Sequence, residues 1–336
     1  MAVTRLSDVI VPEVFASYML KETMQKTALY GAGAMVMDAE LSAKLAGGGR
    51  TFNVPFWKDL DDTESDPASD DPASDATPGS ITTGKDIARR QVRTRGWSTA
   101  QLTRELAGDD PMKRIASRVT DYWGRQFDDV AISTLRGVFA DNAANDSGDM
   151  INDITSDVTG TPAAATLFSA DAVLDTGQTM GDAKQDLSLV VMHSVVHNRL
   201  AKQQLIDYRM DADGKRWWPY YQDYRIHVSD RCPAIAGTYQ TSYWTFVLGM
   251  GAFGMGQSPV ANPVSTDSDE SAADGMGIEE LWTRQQFAIH PYGIKFTDSS
   301  VAAEFPTNTE LQAAANWDRV YAERKQIPMA LLKTNG

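Results

Sequence analysis

The 336-residue chain reads as an α+β fold on three observations. Two strand-like limbs flank an acidic stretch between residues 51 and 98. A capped, amphipathic segment starts at Pro111 and continues for roughly 30 residues, about 45 Å at 1.5 Å per residue. Beyond a polar stretch, the chain from Ala170 to Leu248 alternates helix-like and strand-like segments, enough to hold a core of its own.

Residues 1–50 read as an arm with short helices. Ser7 and Asp8 stand where caps belong, ahead of Val11, Val14, Phe15 and Tyr18, and Pro12 falls early enough for a first helical turn. Gly31-Ala32-Gly33 and Gly47-Gly48-Gly49 break the chain, with a second short helix expected from Met35 to Leu45. In Thr51 to Trp57 the residues Phe52, Val54 and Phe56 alternate as in a half-buried strand, and Pro55 suits an edge. Asp59 to Ser80 is strongly biased and carries a direct duplication, Asp66-Pro67-Ala68-Ser69-Asp70 followed by Asp71-Pro72-Ala73-Ser74-Asp75. Such a stretch cannot bury enough apolar surface to order itself, so it is expected to be an exposed loop tip. Ile81 to Trp97 returns as a strand with Lys85, Arg89, Arg90, Arg93 and Arg95. Residues 51–98 therefore read as one long hairpin with an acidic part and a basic return. A lone hairpin is marginal in water, and a neighbouring copy is the economical support. The residues expected between copies are Arg89, Arg90, Arg93 and Arg95, facing Asp59, Asp61, Asp62 and Glu64.

Asp109 or Asp110 caps the long helix and Pro111 fits its first turn. Apolar residues recur from Met112 through Trp123 and Leu135 to Phe139, mostly on one face. Residues 141–165 are polar and mark a junction or long loop. Ala170 to Met180 suggests a helix, Leu187 to Met192 a short apolar strand, and Ser194 the cap of a helix reaching Leu205. Tyr224 to Val228 and Tyr243 to Leu248 read as strands, and 258–277 as a flexible stretch. Leu281 to Phe296 reads as two strands with a turn near His290-Pro291-Tyr292-Gly293. A helix is expected from Glu310 to about Arg324. The apolar tail from Ile327 to Leu332 needs a partner surface.

The apolar fraction of 42% allows a packed core. No run reaches the roughly 18–20 apolar residues of a membrane-spanning helix, and Met1 to Asp8 lacks a secretion pattern. The expectation is a soluble chain made in the cytoplasm. Cys232 is the one cysteine, expected as a buried thiol. A net charge of -14 argues against a dedicated nucleic-acid reader, though not against a protein that surrounds nucleic acid.

Candidate chemistry is sparse. Gly249-Met250-Gly251-Ala252-Phe253-Gly254 fits G-x-G-x-x-G after a strand, but no helix follows to hold a pyrophosphate. A glycine-rich turn is the plainer reading, and a nucleotide-dependent enzyme using residues 249–254 is kept as an alternative. His193 and His197 could share a helix face as metal ligands, yet Ser194 stands where a zinc-protease motif needs Glu, and no third ligand is evident. No serine lies in a G-x-S-x-G setting. The pairs Asp61-Asp62 and Asp70-Asp71 lie in the loop, without the fixed, desolvated setting a catalytic acid needs. The loop spacing does not follow an EF-hand. No catalytic, cofactor-binding or metal-binding residues are expected, and no enzyme.

Several pieces recur in a familiar order: Val54-Pro55-Phe56-Trp57; Ala107-Gly108-Asp109-Asp110-Pro111; Tyr122-Trp123; Met192-His193-Ser194 with Leu200; His290-Pro291-Tyr292-Gly293; Pro306-Thr307-Asn308 with Glu310-Leu311 and Asn316-Trp317. Over nearly its whole length the chain resembles the major capsid proteins of tailed bacteriophages, with the Hong Kong 97-type fold. The resemblance implies an N-terminal arm (1–50), an extended loop across the neighbouring subunit (51–98), and a peripheral domain with a spine helix (99–145 and 281–307). It also implies an axial domain around hexamer and pentamer axes (146–280); residues 308–336 receive no assignment. The implied function is self-assembly into an icosahedral head around double-stranded DNA, in the virion, after synthesis in the host cytoplasm. The implied partners are further copies, a separate scaffolding protein, a portal, a decoration protein and DNA contacted non-specifically, with no membrane. A cellular nanocompartment shell of the same fold is the alternative. Some members of the fold crosslink a loop lysine; Lys85 is the lysine on the basic limb, but nothing identifies its partners, so that chemistry is not carried over.

Overall fold

The computed structural model describes residues 29, 33–60, 63–68, 70, 75, 78–210 and 217–336. The helix expected after Ser7 lies outside the described residues, as do Asp61, Asp62 and residues 71–74 of the duplication.

Strand β1 (Met35–Met37) leads into helix α1 (Ala39–Ala46). Asp38 caps α1 by accepting from the Glu40 and Leu41 amides, and Leu41 and Leu45, one turn apart, form its buried face. Strands β2 (Thr51–Trp57) and β3 (Thr83–Arg89) pair antiparallel from Thr51 opposite Arg89 to Trp57 opposite Thr83. The hairpin ladder stops there. Strand β4 (Gln91–Ala100) turns away into a larger sheet, so the expected hairpin over 51–98 is shorter than its sequence suggests. Helix α2 (Gln101–Ala107) ends at Gly108, whose φ of 66° is left-handed. Helix α3 (Pro111–Asn145) starts as expected: Asp110 accepts from the Met112 and Lys113 amides, and Pro111 occupies the first turn. At 35 residues it runs about five beyond the expected end, giving about 52 Å.

The rest of the chain alternates: β5 (Ile151–Asp153), α4 (Ala170–Gln178), β6 (Leu187–Met192), α5 (Ser194–Lys202), β7 (Asp207–Met210), β8 (Trp217–Tyr221), β9 (Tyr224–Val228), β10 (Ala234–Ala236), β11 (Thr241–Gly249), β12 (Phe253–Ser258), β13 (Val264–Asp269), β14 (Ile278–Pro291), β15 (Ile294–Phe296), α6 (Asn308–Leu311), β16 (Trp317–Arg319) and β17 (Met329–Thr334).

Two sheets organise most of these strands, and β15 pairs with β16 apart from them. In the first, β14 is the long central strand. One edge pairs with β4; the other pairs with β13 at its start and β12 at its end, and β12 carries parallel β1. The chain thus rejoins this sheet at Phe253 and not at Leu281, because a 14-residue strand has room for two partners along one edge. For the same reason part of the stretch 258–277, expected to be flexible, is the paired strand β13. The second sheet runs β5-β17-β11-β6-β9-β8-β7, with β10 on β11. Here the apolar tail finds its partner, since β17 lies between β5 and β11. It is buried on both faces: Met329 and Leu331 join one core, Ala330 and Leu332 the other. That explains its unbroken apolar run.

Helix α3 connects the sheets. Phe127 meets Phe287 of the first sheet edge-on, with ring centroids 4.9 Å apart, and Phe139 stacks on Phe246 of the second at 5.9 Å. Helices α4 and α5 cover the opposite face of the second sheet through Val173, Val196 and Leu200. The cap of α5 is His193, whose side chain accepts from the Val195 amide, and not Ser194.

The helix expected from Glu310 to Arg324 is only the single turn α6. Thr307 and Glu310 form a reciprocal capping box at its start. At its end, the Asn316 amide donates to the Glu310 carbonyl and the Trp317 indole to the Leu311 carbonyl, each at 2.8 Å. Side chains take the acceptors that a continuing helix would use, and the chain folds back into β16. Gly137 of α3 faces this turn; a Cβ there would fall inside contact with the Leu311 carbonyl and the Trp317 indole.

Asp149 fastens the end of α3 to β16. It accepts from Asn142 and from Arg319, each at 2.7 Å. Burial works to raise its carboxyl, but these hydrogen bonds and the Arg319 charge hold it below the usual carboxylate range. A carboxyl depressed on folding contributes stability that is full above the unfolded value near 4 and is lost as pH falls through the folded one. Melting temperatures measured from pH 6 down to pH 3 are therefore expected to fall less steeply for Asp149→Asn than for the parent chain. Parallel curves would refute this.

Candidate assembly surface

The β2–β3 hairpin pairs with neither of the two sheets, and its sequence dictates how it is mounted. Along β2, half-buried Phe52, Val54 and Phe56 alternate with exposed neighbours, which bears out the expected alternation. Phe56 packs edge-on against Tyr321 at 4.7 Å. At the root, Asp86 of β3 is buried. One of its oxygens lies 2.9 Å from Nε2 of buried His290 and accepts from the Gly293 amide at 3.1 Å. The other accepts from the Ile87 amide at 2.8 Å.

Three of the four arginines expected between copies are engaged inside the chain. Arg89 is buried and donates to Asp298 and to the Glu304 carbonyl, both at 2.8 Å. Arg90 donates to the carbonyls of Leu45 and Gly47. Arg93 donates to the Pro306 carbonyl at 2.8 Å and to Asn308 at 3.0 Å. Burial lowers the pKa of Arg93, an effect opposed by Tyr122 and Glu310. This engagement has a plain physical reason. These guanidinium forks find acceptors supplied by chain turns more than 200 residues away, or by the end of α1, neither of which is visible in a local reading of charge. Arg95 is exposed, as are Lys85, Asp59 and Glu64.

Residues that a reading by charge overlooks lie at the far end of the hairpin. Trp57 and Leu60 are 68% and 69% exposed, and Ile81 stands across from them, also exposed. The Lys58 amide donates to the Thr82 carbonyl at 2.8 Å, so the two limbs stay together beyond Trp57. The available signal was Phe56-Trp57: in an alternating strand, two consecutive aromatics cannot both face inward. Beneath this end, residues 56–60 and 320–323 with Gln326 line a groove of about 460 Å³.

The other candidates resolve into structure. Gly251 turns the chain between β11 and β12 with φ 69°, so residues 249–254 form a strand–turn–strand. His193 is occupied as a helix cap, and His197 is half-buried with its pKa lowered by burial. Cys232 is buried, and burial, with Asp230 and Asp128 nearby, pushes its thiol up to about 12. Among the described residues, no cluster of three His, Cys, Asp or Glu side chains is placed to hold a metal ion. No helix among them is long and apolar enough to cross a membrane.

Comparison with known proteins is consistent across sequence and structure. The Gp13-like family, described as major capsid protein 13-like, matches residues 32–328. A major capsid protein of Bacillus phage SPP1 is 36% identical over 329 residues, which is 97% of this chain and 96% of that protein. The capsid of Ralstonia phage GP4 superposes with a TM-score of 0.61 at 11% identity, covering 93% of this chain and 92% of the other. A chain from Mycobacterium phage Cain gives 0.55 at 12% identity, with 98% of each covered. The structural matches bear on the fold alone: α+β, of the Hong Kong 97 type found in phage capsids.

Proposed function

Since this chain belongs to the Gp13-like family of major capsid proteins, we propose that it forms the hexamers and pentamers of an icosahedral head around double-stranded DNA. It is a structural protein of the phage virion and not an enzyme. Family membership removes the nanocompartment and nucleotide-enzyme alternatives. The rest of this reading concerns how the copies meet.

The observation that carries it is the hairpin end. A two-stranded ribbon with Trp57, Leu60 and Ile81 uncovered and an acidic loop beyond them has a surface suited to another subunit. Exposed apolar surface rimmed by polar residues marks interaction sites. In this reading the hairpin is the extended loop lying on a neighbour, and α3 with the first sheet is the peripheral domain. The second sheet with α4 and α5 is the axial domain. Arg89, Arg90 and Arg93 set the angle at which the hairpin leaves its own subunit. Arg95, Asp59 and Glu64, with Asp61 and Asp62 of the same loop, supply charge between subunits, which gives register more than affinity. A scaffolding protein, a portal, a decoration protein and packaged DNA are the further partners of such a shell.

Replacing Trp57 and Leu60 together with Ser is expected to leave the isolated chain folded. Particle yield should fall at least tenfold, because each side chain forgoes about 1.5–3 kcal/mol of burial at every copy of the contact. Negative-stain counting of particles, beside circular dichroism of the unassembled chain, reads both. Undiminished particles from this variant would remove the hairpin end from the assembly surface. A parent chain that never forms shells would remove the reading itself.

A further inference from the structure

Of the four histidines in the chain, three lie at α5 or on β9, the strand paired with β6. His193 follows β6 directly and caps α5, its Nδ1 accepting from the Val195 amide at 3.2 Å. Most helix caps are oxygens of Ser, Thr, Asp or Asn, which accept throughout the neutral and mildly acid range. An imidazole nitrogen accepts only while it carries no proton. The ring is nevertheless held in this role. Its side chain is 16% exposed and packs against Tyr243 of β11, with ring centroids 5.3 Å apart. His197 lies one turn further along α5, and His227 stands on β9 opposite Val191 of β6.

The charges around the cap decide what a proton does there. Asp230, in the turn after β9, accepts from the Ser194 amide at 3.3 Å and lies 3.8 Å from Nε2 of His193. Its side chain is 69% exposed, so water screens its pull on a second proton. On the other edge of the ring, a protonated Nδ1 would turn its hydrogen toward the Val195 N–H. It would also place positive charge at the helix N-terminus, where the dipole disfavours it. The basic residues of α5, Arg199 and Lys202, stand in its last turn, away from the cap. The other two histidines act in the same sense. Burial lowers the pKa of His197, and burial with the Arg225 charge lowers that of His227. A histidine kept neutral by its fold contributes stability that is full above the ordinary value near 6.5. That stability is lost as pH falls through this value toward the folded one. Carboxyls such as Asp149 hold out to lower pH, so the window from about pH 7 to about pH 5 belongs to histidine. His290, the fourth, lies in the first sheet beside Asp86.

We propose that His193 is a proton-sensitive cap: neutral, it seats α5 on the second sheet, and its protonation releases the helix. What is released is one layer of a core, because Val196 and Leu200 of α5 pack with Met192 of β6 and Val247 of β11. The device belongs to a single subunit and stands apart from the shell reading above. Hydrogen exchange of the unassembled chain at about pH 7.5 and about pH 5.5 brackets the histidine range, with α5 amides referenced to those of β14 in the same sample. On acidification α5 is expected to lose protection relative to β14 by about fivefold or more, the size of a lost cap. His193→Asn supplies an oxygen that accepts at both pH values. Its α5 should match the parent at the higher pH and lose less than half as much at the lower one. No relative loss in the parent chain would overturn the inference, as would a loss in His193→Asn of more than half the parent's. If that variant does not fold, His193→Ser carries the same comparison. The imidazole nitrogen shifts of the parent chain decide without any variant: a proton already on Nδ1 of His193 at the higher pH would overturn the proposal.

Discussion

Gly137→Ala is expected to unfold well below the parent chain, by about 3 kcal/mol or more in the isolated subunit. Two costs add. The new methyl overlaps the Leu311 carbonyl and the Trp317 indole, and overpacking in a dense core costs about 1–3 kcal/mol. Moving either group also breaks the buried Trp317–Leu311 hydrogen bond, worth about 1 kcal/mol and more if a partner is left unpaired. Relief is not available on the helix side, because Gly137 lies in the buried stretch of α3 beside Val138 and Phe139. Ala is otherwise the better helix former by about 1 kcal/mol, so propensity alone predicts the opposite sign. Thermal denaturation followed by circular dichroism separates the two, and a rise in melting temperature would show that the turn at Leu311 yields easily.

The second large effect is expected at the hairpin root. Asp86→Ala removes the acceptor shared by the Gly293 and Ile87 amides and the neighbour of His290. Leaving a buried donor without its acceptor costs about 1–3 kcal/mol, and two amides lose theirs. Part of that loss should appear as detachment of the hairpin, because Asp86 is on β3 while His290 and Gly293 lie at the end of β14 and the turn after it. Amide exchange in β2 and β3 should accelerate together with the drop in stability. Asp86→Asn, which keeps an acceptor for the Gly293 amide, should lose less. Equal losses from both variants would mean that charge, and not the hydrogen bonds, holds the root.

Much of this architecture is legible in the residues, and the failures share a cause. The start of α3 is local chemistry: Asp110 and Pro111 act within one turn of chain. The strand at Thr51 and the apolar strand at Leu187 are likewise local patterns. What could not be read locally depends on partners far along the sequence. Arg89 and Arg93 look like a solvated basic limb until Asp298, Glu304 and Pro306 are folded against them. The helix after Glu310 reads as plausible until Asn316 and Trp317 turn back to take its carbonyls. Strand β13 is polar and featureless, and only the length of β14 gives it a place. At the candidate surface the acids and Arg95 were visible as charge, whereas Trp57 and Leu60 matter for being left uncovered, a property of the assembled fold.

The position of β17 also dictates timing. Residues 151–153 and 241–249 are made before residues 329–334, the strand that joins them and contributes to both cores. A ribosome must therefore release residue 334 before that sheet can close. Until then the nascent chain lacks the strand that links β5 to β11 and contributes to both cores. A contact between copies that depends on this sheet can form only after translation has passed that point.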